Sequence, residues 1–314
     1  MNKYLTMAKR EFWEHKTAFI TTPISLALLL ILLLIGGITA FKIENTNGSS
    51  SSDIKFNLTY SLSETDDQGL AGEGADESSK LTDFFEDKRQ SLDIGLYGIY
   101  LVFMLTAWLI ILFYTLNTLY ADRRDRSILF WKSIPVSETQ TVLVKLAVAL
   151  LAVPLFAILV SWVVQLFYAL TVIIFTHLAG ENPWQIITPN LHILQAFSAQ
   201  VGLALSISVW YLPVFAWLLL ASACAKRSPF LVATLPILVA VTIEAALFKT
   251  SYIIDVIYSY IAVANNYMAS LTPDNNTFGI IPNVEEAASL LVGVLFAAAM
   301  ITAAIWFRKN SFEI

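Results

Sequence analysis

The chain alternates long apolar runs with shorter polar segments. The apolar runs reach the roughly 20 residues that a helix needs to cross the hydrocarbon core of a membrane. Lipid tolerates only helices or closed barrels, because every backbone polar group must be bonded internally, and the runs far exceed the roughly 10 residues of a barrel strand. The pattern therefore predicts an all-α integral membrane protein with six transmembrane helices, at 18–41, 94–118, 144–175, 194–223, 229–248 and 288–307.

Two of the predicted spans are longer than the hydrocarbon requires. The runs 144–175 and 194–223 must tilt, protrude or bend to fit. A proline inside a helix removes one backbone donor and is a common cause of kinks. We therefore expect a kink at Pro213 in the fourth span and another at Pro236 in the fifth.

The composition supports a membrane protein. Of 314 residues, 57% are hydrophobic and 14% are charged, against about 25% charged in a typical soluble domain. The mean hydropathy is +0.68. A single cysteine, Cys224, excludes an intrachain disulfide framework. The first apolar run is longer than the core of a signal peptide, and no small-residue cleavage site follows it, so we interpret 18–41 as a retained signal anchor.

The distribution of Lys and Arg predicts the orientation. Thirteen of the nineteen lie on one side, in the N-terminal segment, in and beside the loops 119–143 and 224–228, and in the tail 308–314. Lys and Arg concentrate on the cytoplasmic side of membrane proteins. Both termini are thus expected in the cytoplasm. The lack of a disulfide framework and of a cleaved signal fits a bacterial cytoplasmic membrane.

Two predicted outer segments differ in character. Segment 42–93 is acidic and rich in Ser and Gly, and only 80–93 shows helical spacing. We interpret it as a flexible acidic tether, the alternative being a docking surface for an extracytoplasmic partner. The outer loop 176–193 is short. Segment 249–287 contains an apolar stretch from about 252 that is too short for a confident span, so an interfacial or re-entrant helix is expected there.

The N-terminal segment 1–17 predicts an amphipathic helix. Apolar residues recur at helical spacing, and most of the other positions are charged, with Lys3, Lys9, Arg10, Glu11 and Glu14. Such a helix is suited to lie in the membrane interface with its cations near anionic head groups. Arg10, Phe12 and Trp13 are the candidate interface residues. The alternative is a basic flank that only orients the first span.

The loop 119–143 combines charge with aromatic residues. The tendency of cations to face the cytoplasm explains the arginines, but it does not explain aromatic residues in the same loop. An apolar patch beside charge indicates a protein contact or docking to a membrane surface. Ser137 and Gln140 have the spacing of a capping box, which predicts a helix start there. The candidate contact residues are Arg123, Arg124, Arg126, Ile128, Phe130 and Trp131.

The sequence carries no enzymatic motif. G-x-x-x-x-G-K-[ST], H-E-x-x-H and G-x-S-x-G are all absent, and the spans contain no cluster of metal ligands. We therefore expect this chain to have no catalytic residues, no cofactor and no metal, and we expect no nucleic-acid partner.

A few polar residues inside the spans are candidates for a translocation path. Glu244 is the only acid within a predicted span, and an intramembrane ionisable residue indicates function. Its alternatives are to lie near the outer surface or to pair with Lys249. Asn117, Gln165 and Gln200 are weaker candidates, because polar residues in spans often only join helices, at about 0.6 kcal/mol each.

In the order of these elements the chain resembles permeases of the ABC-2 superfamily of ABC transporters. The segment from Lys9 to Lys16 is similar to that family's elbow helix. The stretch from Asp122 through Ser127-Ile128 to Ser133-Ile134-Pro135-Val136 is similar to its coupling helix, with Arg126 where the family often has glycine. Residues 252–271 are similar to its re-entrant hairpin. The resemblance covers most of the chain but not 42–93.

The resemblance implies a function. Two permease subunits, identical or paralogous, would pair in the lipid bilayer, and two cytoplasmic P-loop ATPases would bind the coupling helices. ATP and Mg²⁺ would be bound by those partners, and export would be the default direction. The alternative is a membrane protein without an ATPase, either a secondary transporter or a scaffold for assembly.

Overall fold

The computed structural model describes residues 3–46, 76–125, 137–178, 193–270 and 282–310. Every regular element in these ranges is helical, which confirms the all-α class. In chain order the helices are α1 (Lys3–Glu14), α2 (Thr22–Thr46), α3 (Asp76–Arg124), α4 (Glu138–Ala147), α5 (Val153–Leu178), α6 (Ile193–Trp210), α7 (Leu212–Cys224), α8 (Pro229–Leu247), α9 (Tyr252–Ser270) and α10 (Val284–Asn310).

Five helical stretches among the described residues are long and apolar enough to cross a membrane. A sixth is reached if the bent pair α6–α7 counts as one span. The count of five to six agrees with the predicted six spans. The candidate spans are Thr17–Gly36, Gly95–Arg124, Glu138–His177, Pro229–Leu247 and Val284–Asn310, with the bent pair Gln200–Trp210 and Leu212–Cys224.

The helix that contains the second span is longer than the predicted span. The helix α3 has 49 residues, from Asp76 to Arg124, and includes the stretch 80–93 for which helical spacing was predicted. The candidate span within it begins at Gly95, one residue after the predicted start, and runs to Arg124, beyond the predicted end at 118. The residues 47–75 lie outside the described part. The helix α4 begins at Glu138, ahead of the predicted start of the third span at 144.

The predicted capping box at the start of α4 is confirmed. Ser137 Oγ accepts a hydrogen bond from the backbone N–H of Gln140 at 3.3 Å, and the Gln140 side chain accepts one from the Ser137 N–H at 3.3 Å. The box satisfies two donors that a helix start otherwise leaves unpaired. It therefore fixes the start of α4.

In the third span a proline removes one backbone donor, and a side chain of another helix approaches the carbonyl that is left without it. A π-helical turn, Val148–Ala152, joins α4 to α5. Pro154 lacks an N–H, so the carbonyl of Leu150, four residues earlier, loses its usual donor. The hydroxyl of Ser208 in α6 lies 2.8 Å from that carbonyl and 2.9 Å from the carbonyl of Ala204, so its one proton is shared between the two acceptors.

The predicted kink in the fourth span is a sharp bend. The helices α6 and α7 meet at Tyr211 with an angle of 51°. Pro213 lies in the first turn of α7, where a missing N–H breaks no helical hydrogen bond. Pro236, for which we also expected a kink, lies inside α8 without interrupting that helix.

The chain divides into two compact units. The first contains Met1–Leu26, Tyr100–Trp162 and His192–Ile314, and the second contains Ala27–Ile99 and Val163–Leu191. In the second unit Tyr168 packs against Gly95, where a Cβ would clash, and Gln165 Nε2 donates to the carbonyl of Leu96 at 3.3 Å. The first unit has a core of apolar residues that includes Phe19, Tyr100, Met104, Ala107, Ile111, Tyr114, Leu146, Val153, Ile158, Ala204 and Phe215.

The helix α9 is anchored to the bent span and to α10. The Tyr260 hydroxyl donates to the carbonyl of Trp210, the last residue of α6, at 2.8 Å. The Tyr260 ring also lies against Gly293 of α10, where a Cβ would clash with it. The helix that we predicted as interfacial or re-entrant thus contacts α6, α8 and α10.

Candidate functional site

One face of α1 is buried against other helices of the first unit. Met7 and Glu11, one turn apart, are buried, whereas Lys9, Arg10 and Trp13 are exposed. The helix contacts α4 and the π-helical turn that follows it. The amphipathic character predicted from the sequence is present, but the inner face carries a carboxylate and is not purely apolar.

A cluster of five buried or partly buried charges surrounds this contact. It consists of Glu11, Asp122, Glu138, Lys145 and Arg308, and we call it the charge cluster. Lys145 Nζ lies 2.7 Å from Glu11 Oε1 and 3.3 Å from Asp122 Oδ1. Arg308 Nη1 lies 2.9 Å from Asp122 Oδ2, and its Nε lies 2.5 Å from Glu138 Oε2. The pairs form one continuous chain of alternating charge.

Hydroxyl groups complete the surroundings of Glu11. Tyr114 donates to Glu11 Oε1 at 2.8 Å, and Thr118 donates to the same oxygen at 3.3 Å. The Thr118 hydroxyl also accepts a hydrogen bond from Lys145 at 3.0 Å. His15 Nε2 lies 3.7 Å from the same carboxylate. The buried carboxylate is therefore surrounded by donors, as buried charges require.

The ionised form of Glu11 is favoured. Burial alone would raise the pKa of this carboxyl, but the charge of Lys145 and the hydrogen bonds from Lys145 and Tyr114 outweigh it, so the pKa lies below its ordinary value. The Glu11–Lys145 contact is therefore an ion pair at neutral pH. Removing one member of such a buried pair leaves the other charge uncompensated.

The charge cluster spans both ends of the predicted coupling loop. Asp122 lies in the last turn of α3 before the loop, and Glu138 is the first residue of α4 after it. Lys145 and Arg308 connect these two positions to Glu11 in α1 and to the end of α10. The helices α1, α3, α4 and α10 thus meet at these ion pairs.

A second loop is attached to the same end of α3. Arg123 Nη2 donates to the carbonyls of Ser222 and Ala225, at 2.7 and 3.0 Å, where α7 ends. The Tyr120 hydroxyl donates to the carbonyl of Arg227 at 2.9 Å. The segment 224–228 between the fourth and fifth spans is therefore held by side chains of α3. A cation at the end of a helix also interacts favourably with the helix dipole.

The six predicted coupling residues differ in their contacts and in whether the structure describes them. Arg123 is half-buried and caps α7, an intramolecular role that the sequence did not indicate. Arg124 is exposed, pairs with Asp125 at 3.0 Å and lies over the Tyr120 ring at 5.9 Å. The remaining four, Arg126, Ile128, Phe130 and Trp131, lie outside the described residues, and their contact stays a prediction.

The predicted interface residues of α1 divide between its two faces. Arg10 and Trp13 are exposed, as an interfacial position requires. Phe12 is half-buried, and its ring lies 5.6 Å from that of Phe19 and 6.1 Å from that of Phe156. Phe12 therefore attaches α1 to the protein.

Glu244 has a local structural role. Its Oε1 accepts hydrogen bonds from the Thr250 hydroxyl at 2.9 Å and the Tyr252 N–H at 2.5 Å, and its Oε2 accepts one from the Ile253 N–H at 3.0 Å. The carboxylate thus caps the start of α9. No ion pair joins Glu244 to Lys249 in the described structure, and the role of Glu244 in a translocation path stays a prediction.

The three other path candidates differ in exposure and in their contacts. Asn117 is exposed on α3. Gln165 is buried in the second unit and donates to Leu96. Gln200 is buried in the first unit, and its backbone carbonyl accepts a hydrogen bond from the Tyr100 hydroxyl at 3.2 Å. A shared polar path through these residues stays a prediction.

Sequence reasoning did not single out the members of the charge cluster. Lys145 and Arg308 are predicted only to lie among the cations of one side, and Glu11 and Asp122 only to belong to the segments similar to the elbow and coupling helices. One signal was available, because Lys145 is a lone cation within an otherwise apolar helical stretch, and such residues usually have a partner. The identity of the partner could not be read from one sequence.

No protein-family model, no curated protein and no solved structure matches this chain. Any functional assignment therefore depends on the residues and the geometry described above.

Proposed function

We propose that this chain is the membrane-spanning permease subunit of an ATP-driven ABC transporter of the ABC-2 type. In this proposal its termini and the loop 126–136 face the cytoplasm of a bacterial cell, and a separate P-loop ATPase binds that loop. Two permease copies, or one copy and a paralogue, form the translocation path, and export is the direction. ATP and Mg²⁺ are bound by the partner.

The observation that carries the proposal is the charge cluster at the two ends of the loop. A subunit driven by an external ATPase must pass a displacement of one loop to its spans. Asp122 and Glu138 flank the loop, and both are ion-paired to Arg308 at the end of α10. Lys145 links the same site to α1. A displacement of the loop would thus be transmitted to four helices together, because buried ion pairs with good geometry hold their partners in one arrangement.

The contacts of Arg123 and Tyr120 extend this connection. They attach the segment 224–228, and with it the junction of α7 and α8, to the same end of α3. Both loops on this side would move with α3. In this proposal Phe130 and Trp131 of the loop contact the ATPase, since large aromatic side chains dominate protein interfaces.

Affinity purification of the tagged chain from native membranes in mild detergent tests the proposal. A P-loop ATPase should copurify in stoichiometric amount. The double substitution Phe130→Ala/Trp131→Ala should remove it while the permease remains inserted and monodisperse. The reproducible absence of an ATPase from the intact chain would overturn the proposal.

A matched control uses aromatic residues that are exposed elsewhere. Phe230 and Trp306 are 58% and 57% exposed and lie in α8 and α10. The double substitution Phe230→Ala/Trp306→Ala should leave the complex intact. Loss of the ATPase in both double variants would indicate general destabilisation and not a specific contact.

One observation favours the rival reading of a secondary transporter. Such transporters often use discontinuous helices, and the pair α6–α7 bends by 51° inside one predicted span. The same purification separates the two functions. A secondary transporter would carry no ATPase, and its transport in proteoliposomes would follow an ion gradient and not added ATP.

A further inference from the structure

The imidazole of His15 lies at the edge of the charge cluster, directly after the last residue of α1. Its Nε2 is 3.7 Å from Glu11 Oε1, one helical turn earlier in the chain. The His15 ring meets the Tyr114 ring edge-on, with 5.0 Å between the centroids, and its centroid is 5.7 Å from that of Phe19. The side chain of His15 is 30% exposed and that of Glu11 is 2% exposed, so solvent reaches the imidazole beside a buried carboxylate.

The charge cluster has more negative than positive members. It contains three carboxylates and two cations, so its five ionised side chains carry one excess negative charge. Lys145 is shared between Glu11 and Asp122, and Arg308 is shared between Asp122 and Glu138. An imidazolium beside Glu11 would supply a third cation. Among side chains, imidazole is the one whose charge ordinarily changes between about pH 5 and 8.

The other charges next to His15 in the chain are solvated. Glu14 precedes it and Lys16 follows it, and both are exposed. They have opposite signs, and water and salt weaken the interactions of exposed charges. The π-helical turn that comes next, Thr17–Thr21, has no charged residue. The buried carboxylate of Glu11 is therefore the main charge that the chain places beside His15 from its own helix.

The elements that pack on α1 supply one opposing cation. The helix α3 presents the uncharged Tyr114, and the π-helical turn Val148–Ala152 has no charged residue. On α4, Lys145 would repel an imidazolium. Its ammonium lies 2.7 Å from Glu11 and 3.3 Å from Asp122, so two carboxylates oppose its charge. The net surroundings of the imidazole therefore favour a positive charge.

We propose that His15 and Glu11 form a proton-binding site that holds α1 against α3 and α4 more firmly at acid than at alkaline pH. A protonated His15 places a second cation beside Glu11, in addition to Lys145, whereas the neutral ring adds no charge. Glu11 stays ionised at mildly acid pH because its pKa lies below its ordinary value. By linkage, the added hold is present while the imidazole is charged and is lost as the pH rises and the ring gives up its proton.

The position of the site gives the proton a route to other parts of the chain. The first candidate span begins at Thr17, two residues after His15. Glu11 is bound to Lys145, which also contacts Asp122 at the end of α3. A weaker hold on α1 would therefore act on both the first and the second span. The inference does not rest on the proposed function, because it uses only contacts within the described helices.

Hydrogen exchange of α1 in the full chain tests the site. Backbone exchange of Lys3–Glu14 is measured by mass spectrometry in detergent, at about pH 5.5 and about pH 8, for wild type and His15→Gln side by side. The ratio of the two rates at one pH cancels the intrinsic pH dependence of exchange. We expect the ratio of variant to wild type to be about three- to fivefold larger at the acid than at the alkaline pH, the effect of one partly exposed ion pair.

Three further variants separate charge from packing. His177→Gln removes an exposed histidine of α5 and should give the same ratio at both pH values. In a Glu11→Gln background, His15→Gln should also give the same ratio at both, because the imidazolium then has no carboxylate beside it. His15→Lys keeps a cation over the whole range, so its exchange rate relative to wild type should fall from the acid to the alkaline pH.

Three results would overturn the inference. An equal ratio for His15→Gln at the two pH values would show that the proton does not affect α1. A larger ratio at the alkaline pH would show that repulsion by Lys145 prevails over attraction by Glu11. The same response in His177→Gln would show a general effect of pH on the protein. If His15→Gln or the double variant does not fold, His15→Lys decides, since a relative rate that does not fall towards alkaline pH also contradicts the proposed site.

Discussion

Two buried carboxylates of this protein are stabilised in different ways. Glu11 accepts hydrogen bonds from Tyr114 and Lys145, which lie 103 and 134 residues away in the chain. Glu244 accepts hydrogen bonds from Thr250 and Ile253, which lie only 6 and 9 residues away. The first carboxylate joins helices that are remote in sequence, whereas the second shapes a single connection between α8 and α9.

The difference shows what each carboxylate can control. Charged partners on separate helices couple the positions of those helices, because separating them would leave a bare charge in a buried site. Backbone N–H donors at a helix start fix the start of that helix only. We therefore expect Glu11 and its partners to matter for the stability of the whole first unit, and Glu244 to matter for α9.

The largest effect is expected for Lys145→Met. The substitution leaves Glu11 and Asp122 buried without their shared cation, which should lower the stability of the protein by about 3–5 kcal/mol. Thermal unfolding in detergent, followed by circular dichroism, measures the change. Lys309→Met, at an exposed position next to Arg308, is the control and should change little. Equal loss in both variants would contradict a special role for the charge cluster.

Acid should remove the stabilisation that the ionised Glu11 contributes. The folded-state pKa of Glu11 lies below that of a Glu in the unfolded chain, so its contribution is complete above about pH 4.3 and is lost as the pH falls through the lower folded-state value. The stability difference between wild type and Glu11→Gln should shrink as the pH falls below about 5. Unfolding midpoints measured from about pH 5 downward check the sign. A difference that does not shrink in this range would contradict a lowered pKa of Glu11.

A smaller and more local effect is expected for Glu244→Ala. The N–H groups of Tyr252 and Ile253 lose their acceptor, so their hydrogen exchange should accelerate while exchange in α1 and α4 stays at the wild-type rate. The unfolding midpoint should fall less than for Lys145→Met. Faster exchange throughout the first unit would show that the two carboxylates do not differ as described.

The smallest effect is expected for Ser208→Ala. It removes the donor to the Leu150 carbonyl, at about 1 kcal/mol for an unmade hydrogen bond. Pro154→Ala restores an N–H within the third span, so the effect of Ser208→Ala should shrink in that background. A double-mutant cycle on unfolding midpoints gives the coupling. Additive effects would show that Ser208 does not replace the bond lost to Pro154.

The sequence predicted the helices well because each is encoded locally. Apolar runs of sufficient length located every candidate span, and Ser137 with Gln140 correctly marked the start of α4. Pro213 marked the bend of the fourth span. The second span was predicted to end at 118, and α3 continues to Arg124 because a polar helical turn lacks the apolar character from which the end of a span is predicted.

The contacts between helices could not be predicted in the same way. Nothing in one sequence pairs Glu11 with Lys145, or Asp122 with Arg308, since the members are separated by more than a hundred residues. The sequence shows Glu244 as an acid in a span. The hydrogen bonds that its carboxylate accepts depend on the tight turn into α9, where Lys249 has a positive φ of 52°. Such geometry follows from the tertiary structure.

The packing of Tyr260 against Gly293 has a consequence for evolution. A Cβ at position 293 and a tyrosine at position 260 would occupy the same space, and the tyrosine hydroxyl also bonds to the carbonyl of Trp210. The two positions should therefore covary in homologous chains. A relative with alanine or a larger residue at 293 is expected to have a smaller side chain at 260 and another donor for the carbonyl at the bend.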